Sequence, residues 1–207
     1  MAKVVKTHSA GALEAPQVVV IAGPNGAGKT TYAETLLSAM GIEQFINADR
    51  IAQGLAGLRP ETVAIRAGRI MLERIDELAA AQESFGFETT LSSRSFANLL
   101  RKMAAQGYKV SIFYVMLPSP RESAWRVKNR VTLGGHSIPA DVIHRRFSRS
   151  AANLFELYLP LADSWRISEN RRNAVPVEIA RGTKSDRLIL DEEAWQKLHQ
   201  ISKTSSN

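Results

Sequence analysis

Apolar and polar positions along this chain fall into blocks whose period switches repeatedly between that of a strand and that of a helix. Residues 17–23, "QVVVIAG", form a short apolar run closed by glycine, the pattern of a buried strand. "KTTYAETLLSAMG" (29–41) has helical spacing and stops at Gly41. "EQFIN" (43–47) reads as a second short strand and leads into "ADRIAQGLAGLRP". Pro60 and Glu61 open a long helix in which Val63, Ile65, Ile70, Leu72, Ile75 and Leu78 supply much of the apolar content. "SFGFETTL" (84–91) is the third strand, and "SSRSFANLLRKMAAQG" is a helix with serines to cap its start and Gly107 to close it.

The second half continues the alternation. "YKVSIFYVML" (108–117), rich in aromatic and β-branched residues, is the strongest strand signal in the chain. In "SPRESAWRVKNRV", Ser119 and Glu122 have capping-box spacing and Pro120 takes the first helical position. "TLGGHS" breaks the pattern, and "IPADVIHRRFSRSAANLFELYLPLA" resumes it as a helix. "WRISE" (165–169), "VPVEIA" (175–180) and "RLIL" (187–190) are short final strands, and "DEEAWQKLHQI" is a last helix capped by Asp191. Strands alternating with helices predict an α/β fold: a mainly parallel sheet of about five strands covered on both faces. The expected organisation is a loose arm over 1–15, one domain over 16–200 with a helical lid at about 119–150, and a frayed tail over 201–207.

Composition narrows the class. The chain has 207 residues, 44% of them hydrophobic, enough for one well-buried domain. It has no cysteine, which excludes disulfides and thiolate metal sites. No apolar run reaches the roughly 18–20 residues that span a bilayer. The first sixteen residues contain Lys3 and Lys6 but no long apolar h-region, so the start reads as an arm, not a signal peptide, and the expected location is the cytoplasm. The net charge of +7 admits a polyanionic small molecule, nucleic acid, or simply a basic surface. No run of five basic residues occurs and no basic stretch alternates with aromatics, which disfavours nucleic acid.

The candidate chemistry begins at "GPNGAGKT" (23–30), which fits G-x-x-x-x-G-K-[ST] without a mismatch and lies between a strand and a helix. Glycines let the backbone turn with positive φ and bring its N–H groups close to phosphate. Gly23, Asn25, Gly26, Ala27, Gly28, Lys29, Thr30 and Thr31 are the expected nucleotide-binding residues. Lys29 would bridge the β- and γ-phosphates of ATP or GTP, and the Thr30 hydroxyl would sit on Mg²⁺. The phosphate could be fuel, switch or cargo. An ABC-type ATPase carries an apolar run ending in Asp-Glu and an LSGGQ-like signature; here "SIFYVML" ends in Pro118-Ser119-Pro120 and "TLGGHS" lacks the signature's order. No N-K-x-D tetrapeptide reads a guanine base.

Transfer needs a base beside the acceptor hydroxyl and cations around the moving group. Asp49 and Glu88 fall where a parallel sheet delivers its ligand, at the carboxyl ends of strands. Asp49 could instead cap the next helix, and Glu88 could be a strand-end surface residue. Arg121, Arg126 and Arg130 precede "TLGGHS"; Arg145, Arg146 and Arg149 follow it. A helix–loop–helix with arginines on both legs is a lid that closes cations over the γ-phosphate.

Taken together, "IAGPNGAGKTT", "FINADRIA", "FETTL", "GYKVSIFYVMLPSP" and "RVTLGGHSIPADVIHRRF" resemble the zeta-toxin-like P-loop kinases, from about Val18 to Asn170. The resemblance implies a kinase that phosphorylates the sugar 3′-hydroxyl of UDP-N-acetylglucosamine with ATP or GTP and is held inactive by a small antitoxin. Carried over by motif, Lys29 is the phosphate lysine, Asp49 the catalytic base, Glu88 the substrate-holding acid, with Thr89 or Thr90 beside it, and Arg130, or Arg126, the first lid arginine. The toxins have a longer segment between the lid helices with a second arginine just before the proline. Here His136 lies three residues before Pro139, so the second lid cation is His136, Arg145 or Arg146. The "GGHxIP" pattern resembles a divergent branch labelled predicted ABC-type ATPases, which leaves open a kinase of another metabolite or a nucleotide-gated module acting through a partner.

Overall fold

The computed structural model describes residues 15–56, 60–132, 138–171 and 175–204. Among the described residues, seven strands form one sheet in the order β2-β3-β1-β4-β5-β6-β7: β1 (Gln17–Ala22), β2 (Gln44–Ile46), β3 (Phe85–Thr89), β4 (Lys109–Met116), β5 (Ser164–Glu169), β6 (Val177–Thr183) and β7 (Arg187–Ile189). The first five are mutually parallel, as the alternation predicts, and β6 and β7 extend the sheet antiparallel from β5. Among the described residues, the helices are α1 (Lys29–Ala39), α2 (Ala48–Ala56), α3 (Ala64–Ala80), α4 (Ser95–Ala105), α5 (Pro120–Thr132), α6 (Ala140–Asn153) and α7 (Glu192–Lys203).

Period-two alternation on β1 sends its side chains to two cores. Val18, Val20 and Ala22 join Phe85, Phe87, Ile112 and Tyr114 under α3, α4, α6 and α7. Val19 and Ile21 pack on Ala33 and Leu37 of α1. The sheet is therefore covered on both faces, and the loops at the strands' carboxyl ends are left free to build a site. No helix among the described residues is long and apolar enough to cross a membrane.

Several local expectations are revised. The helix opened by Pro60 starts as a 3₁₀ turn, Pro60–Val63. On α3 the buried stripe is Ala67, Met71, Ile75, Leu78 and Ala79, while Ile65 is 79% and Leu72 43% exposed. At α5 the Ser119 hydroxyl accepts the Glu122 N–H at 3.1 Å, but the Glu122 carboxylate binds Arg126 Nε at 2.8 Å, so only half of the capping box forms. The last helix runs to Lys203, with Ser202 buried and Ile201 packed on the core, so helix replaces tail there. The long sixth helix ends at Asn153 and gives way to a π-turn, Leu154–Tyr158, then a 3₁₀ turn.

Gly23 turns the chain out of β1 with φ +138°, and a Cβ on it would lie 2.1 Å from the Val115 carbonyl oxygen. Backbone cannot yield as a flexible side chain can. Gly23→Ala should cost about 3–5 kcal/mol, combining backbone strain and overpacking; a chemical denaturation curve matching the wild type would contradict this.

Asp163 ties the start of β4 to β5. Its N–H donates to the Val110 carbonyl at 2.8 Å, and its carboxylate accepts from the Val110 N–H and Lys184 Nζ, each at 2.8 Å. Burial raises its pKa, but the two hydrogen bonds and the charges of Lys184 and Lys109 outweigh burial and hold it below the usual carboxylate range. A depressed folded-state pKa contributes stability above the unfolded value, roughly pH 4, and loses it as pH falls through the folded one. The melting temperature of Asp163→Asn should therefore lie below the wild type's at neutral pH, and the gap should close as the solution is acidified below about pH 4.

Candidate nucleotide and acceptor site

The loop from Gly23 to Thr30 closes on the first turn of α1. Gly28 precedes that helix in the left-handed region, φ +82°, and among the described residues no side chain caps its first N–H groups. The first turn also carries no acid, so the positive end of the helix is left for an anion. Two distant side chains hold the loop in shape. Ser123 of α5 donates its hydroxyl to the Asn25 carbonyl at 2.6 Å. Asn170, just past β5, donates Nδ2 to the Ala27 carbonyl at 2.9 Å, and a Cβ on Gly28 would meet that nitrogen at 2.9 Å.

Lys29 is 6% exposed. Its Nζ donates to the Pro24 carbonyl at 3.1 Å and lies 3.4 Å from Glu88 Oε1 at the end of β3. Glu88 Oε2 accepts from Thr30 Oγ1 and from Asn47 Nδ2, both at 2.7 Å. Glu88 is thus no loose surface residue; its side chain is 12% exposed. The Asn47 Oδ1 accepts the N–H groups of Asp49 (2.8 Å) and Arg50 (3.1 Å). Asn47 therefore caps α2, which displaces Asp49 from that role into the first turn, where it is exposed.

Two clefts meet over this cluster. One, about 390 Å³, is lined by Gly26, Gly28, Lys29, Thr30, Thr31 and Glu88 and roofed by Trp125, Arg126, Asn129 and Arg130 of α5. The other, about 450 Å³, has Asn25, Asp49, Thr89, Thr90, Arg69 and Arg146 in its wall, with Ile65, Leu72, Phe96 and Ile138 as its apolar part. Lys29 and Glu88 line both. Ile65, Gly68, Arg69 and Leu72 line the second cleft at helical spacing i, i+3, i+4, i+7, which accounts for the two exposed apolar residues of α3.

Arg126 is buried, with Nε on Glu122 and Nη2 on the Asn170 carbonyl at 3.1 Å. Its Nη1, and Nε and Nη2 of Arg130, are buried without a hydrogen-bond partner among the described residues. Buried donors of this kind are costly unless something accepts from them, and all three belong to arginines that line the loop's cleft. Arg146 lines the second cleft; its neighbour Arg145 lines neither and is exposed, as are Arg121 and Arg149. His136 lies outside the described residues. Ala27 is fully buried against Val115, Leu117 and Phe147 and supports the loop from within. Asn47, Arg69, Ser123 and Asn170 were not legible as site residues. Of these only Asn47 carried a signal, an asparagine directly before the first residue of a helix.

Residues 18–156 match the model of a family described as an AAA domain. The chain belongs to that family. Over 131 residues, 63% of this AAA-domain chain and 92% of the other, it is 28% identical to an uncharacterized protein of Haemophilus influenzae. A crystal structure of AvrRxo1-ORF1:-ORF2 with ATP superposes with a TM-score of 0.70 at 16% identity, covering 88% of this chain and 63% of that one. This chain thus spans less than two thirds of the matched AvrRxo1 chain. A structure from the PezAT chromosomal toxin–antitoxin system of Streptococcus pneumoniae superposes with a TM-score of 0.60 at 16% identity, covering 93% and 86%. These likenesses are of fold, and that fold is the α/β class with a mainly parallel sheet that the sequence predicts.

Proposed function

We propose that this AAA-domain protein is a Mg²⁺-dependent kinase that transfers the γ-phosphoryl group of ATP or GTP to a hydroxyl of a small anionic acceptor. One observation carries the reading: the phosphate-loop cleft and a second cleft holding Asp49 share a wall made of Lys29 and Glu88. A motor or a switch needs only the first cleft. Transfer needs two, separated by no more than the group that moves.

In this reading Lys29 and the loop N–H groups hold the β- and γ-phosphates, and Arg126 and Arg130 supply charge from α5. The hard oxygens of Thr30 and Glu88 suit magnesium, which binds through one or two carboxylates and the substrate's own phosphates and would there neutralise phosphate charge. The acceptor oxygen attacks the γ-phosphorus, the bond to the β–γ bridging oxygen breaks, the nucleoside diphosphate leaves, and the hydroxyl proton passes to Asp49. Thr89 and Thr90 hold the acceptor. Arg69 and Arg146, set among apolar side chains, favour an acceptor with its own negative charge, and a nucleotide sugar has that chemistry. UDP-N-acetylglucosamine is the first acceptor to test, and the cytoplasmic nucleoside triphosphate pool is the expected donor. A small acidic antitoxin is the partner that suits a chain of charge +7.

The test is ³¹P NMR of the protein with ATP, Mg²⁺ and UDP-N-acetylglucosamine beside a sample lacking the sugar nucleotide. A new phosphomonoester resonance in the full mixture alone supports the reading. Equal release of ADP and phosphate in both samples favours instead a nucleotide-gated hydrolase or another acceptor.

A further inference from the structure

The turn between β3 and α4 carries Thr89 and Thr90 into the second cleft, and Ser95 and Phe96 line the same cleft just beyond it. Its backbone is strained: Leu91, fully buried, has φ +55°, a left-handed value that a leucine rarely holds. Two side chains from one short stretch hold it there. Asn153 Nδ2 donates to the Leu91 carbonyl at 2.7 Å, and the Tyr158 hydroxyl donates to the Ser93 carbonyl at 2.6 Å. Both residues are buried. Burial pushes the Tyr158 pKa up to about 12 against the lowering by the Ala97 backbone, Arg101 and Arg94, so the hydroxyl keeps its proton at any ordinary pH.

Residues five apart on an α-helix point about 140° away from each other. Asn153 and Tyr158 are five apart, yet they reach the same turn. The π-turn Leu154–Tyr158 makes this possible: it closes i→i+5, with the Leu159 N–H on the Leu154 carbonyl, and so brings residues five apart onto one face. The effect reaches the cleft through Leu91. With its carbonyl held by Asn153, the Leu91 N–H donates to Thr89 Oγ1 at 3.1 Å, which leaves the Thr89 hydroxyl proton free to donate elsewhere. Thr90 is fixed likewise by Ser92, oxygen to oxygen at 2.8 Å. Arg146 of the same cleft lies on α6 seven residues before Asn153, two turns along one face.

We propose that the π-turn after α6 is a clamp on the acceptor-binding turn, and that Asn153 and Tyr158 are positioning residues that set Thr89 and Thr90 for the acceptor and tie them to the helix bearing Arg146. This rests on the kinase reading. The clamp acts on the strained backbone at Leu91 through these two hydrogen bonds.

The experiment uses the full chain and two near-isosteric variants, Asn153→Leu and Tyr158→Phe, with ATP, Mg²⁺ and UDP-N-acetylglucosamine. Each variant should raise the acceptor KM about tenfold, the worth of one buried hydrogen bond, and leave the nucleotide Kd within about twofold. Amide hydrogen exchange at residues 91–93 should quicken about tenfold while α1 is unchanged. A lowered melting temperature with unchanged KM, or quickened exchange with unchanged KM, overturns the proposal by reducing both residues to scaffold. If the wild type phosphorylates nothing in this mixture, the acceptor reading fails separately, and the exchange data still decide the clamp: unchanged exchange at 91–93 in both variants overturns it.

Discussion

Replacing Asp49 by alanine should lower phosphoryl transfer by about 10²–10⁴ while leaving the nucleotide Kd within about twofold, the signature of a lost general base. The separation follows from where the residue sits. Asp49 lines the second cleft and its carboxylate makes no hydrogen bond among the described residues, while its backbone N–H is held by Asn47. Deleting the carboxylate therefore disturbs neither the cap of α2 nor the phosphate loop. Single-turnover kinetics with titration calorimetry would show both halves of the result. Wild-type turnover in Asp49→Ala would remove Asp49 from the role of base, and a nucleotide-gated hydrolase predicts that indifference.

Lys29→Ala should behave differently, losing both binding and chemistry. The ammonium is nearly buried between the Pro24 carbonyl and Glu88, with no other lysine or arginine on the wall the two clefts share. Loss of a charge-assisted contact to phosphate should weaken nucleotide binding about 10–100-fold, and loss of charge stabilisation during transfer should lower kcat by a further factor of about 10²–10³. The fold should survive, because Thr30 and Asn47 still hold Glu88 through its Oε2. Lys29→Arg should not rescue, since a planar fork does not fit a cradle shaped to one compact ammonium. Circular dichroism beside the binding isotherm separates the two effects; retention of wild-type affinity would contradict the phosphate role.

What was legible in the sequence was local. The glycine loop was readable because its chemistry lies within eight consecutive residues, and the flanking strand and helix announce themselves by period. Asp49 and Glu88 were readable because strand ends in a parallel sheet point to one edge. The bonds that make a site of these residues were not. Thr30 meets Glu88 across 58 positions, Asn170 meets Ala27 across 143, and Asn153 meets Leu91 across 62. Each depends on the strand order, which places β3 and β4 on either side of β1 although β2 comes next in the chain. Arg145 and Arg146 were equal candidates as adjacent residues; a helix turns about 100° per residue, so only the docking of α6 through Ile143 and Phe147 separates them.

The sequence by itself determined that this chain folds into alternating strands and helices, that it carries a phosphate loop, and that an acid stands just past the second strand segment, at 49, and another in the end of the third, at 88. These follow from patterns of period and spacing within a few turns of chain. Only the tertiary structure decided that Lys29 and Glu88 form one wall between two clefts, that Asn47 frees Asp49 from capping, that Ile65 and Leu72 face a cleft instead of the core, and that a π-turn grips the turn after β3. Those outcomes depend on which strands pair and which helix face docks. Side-chain contacts across a sheet are fixed by that global arrangement, in which the long-range burial of apolar faces outweighs any local preference.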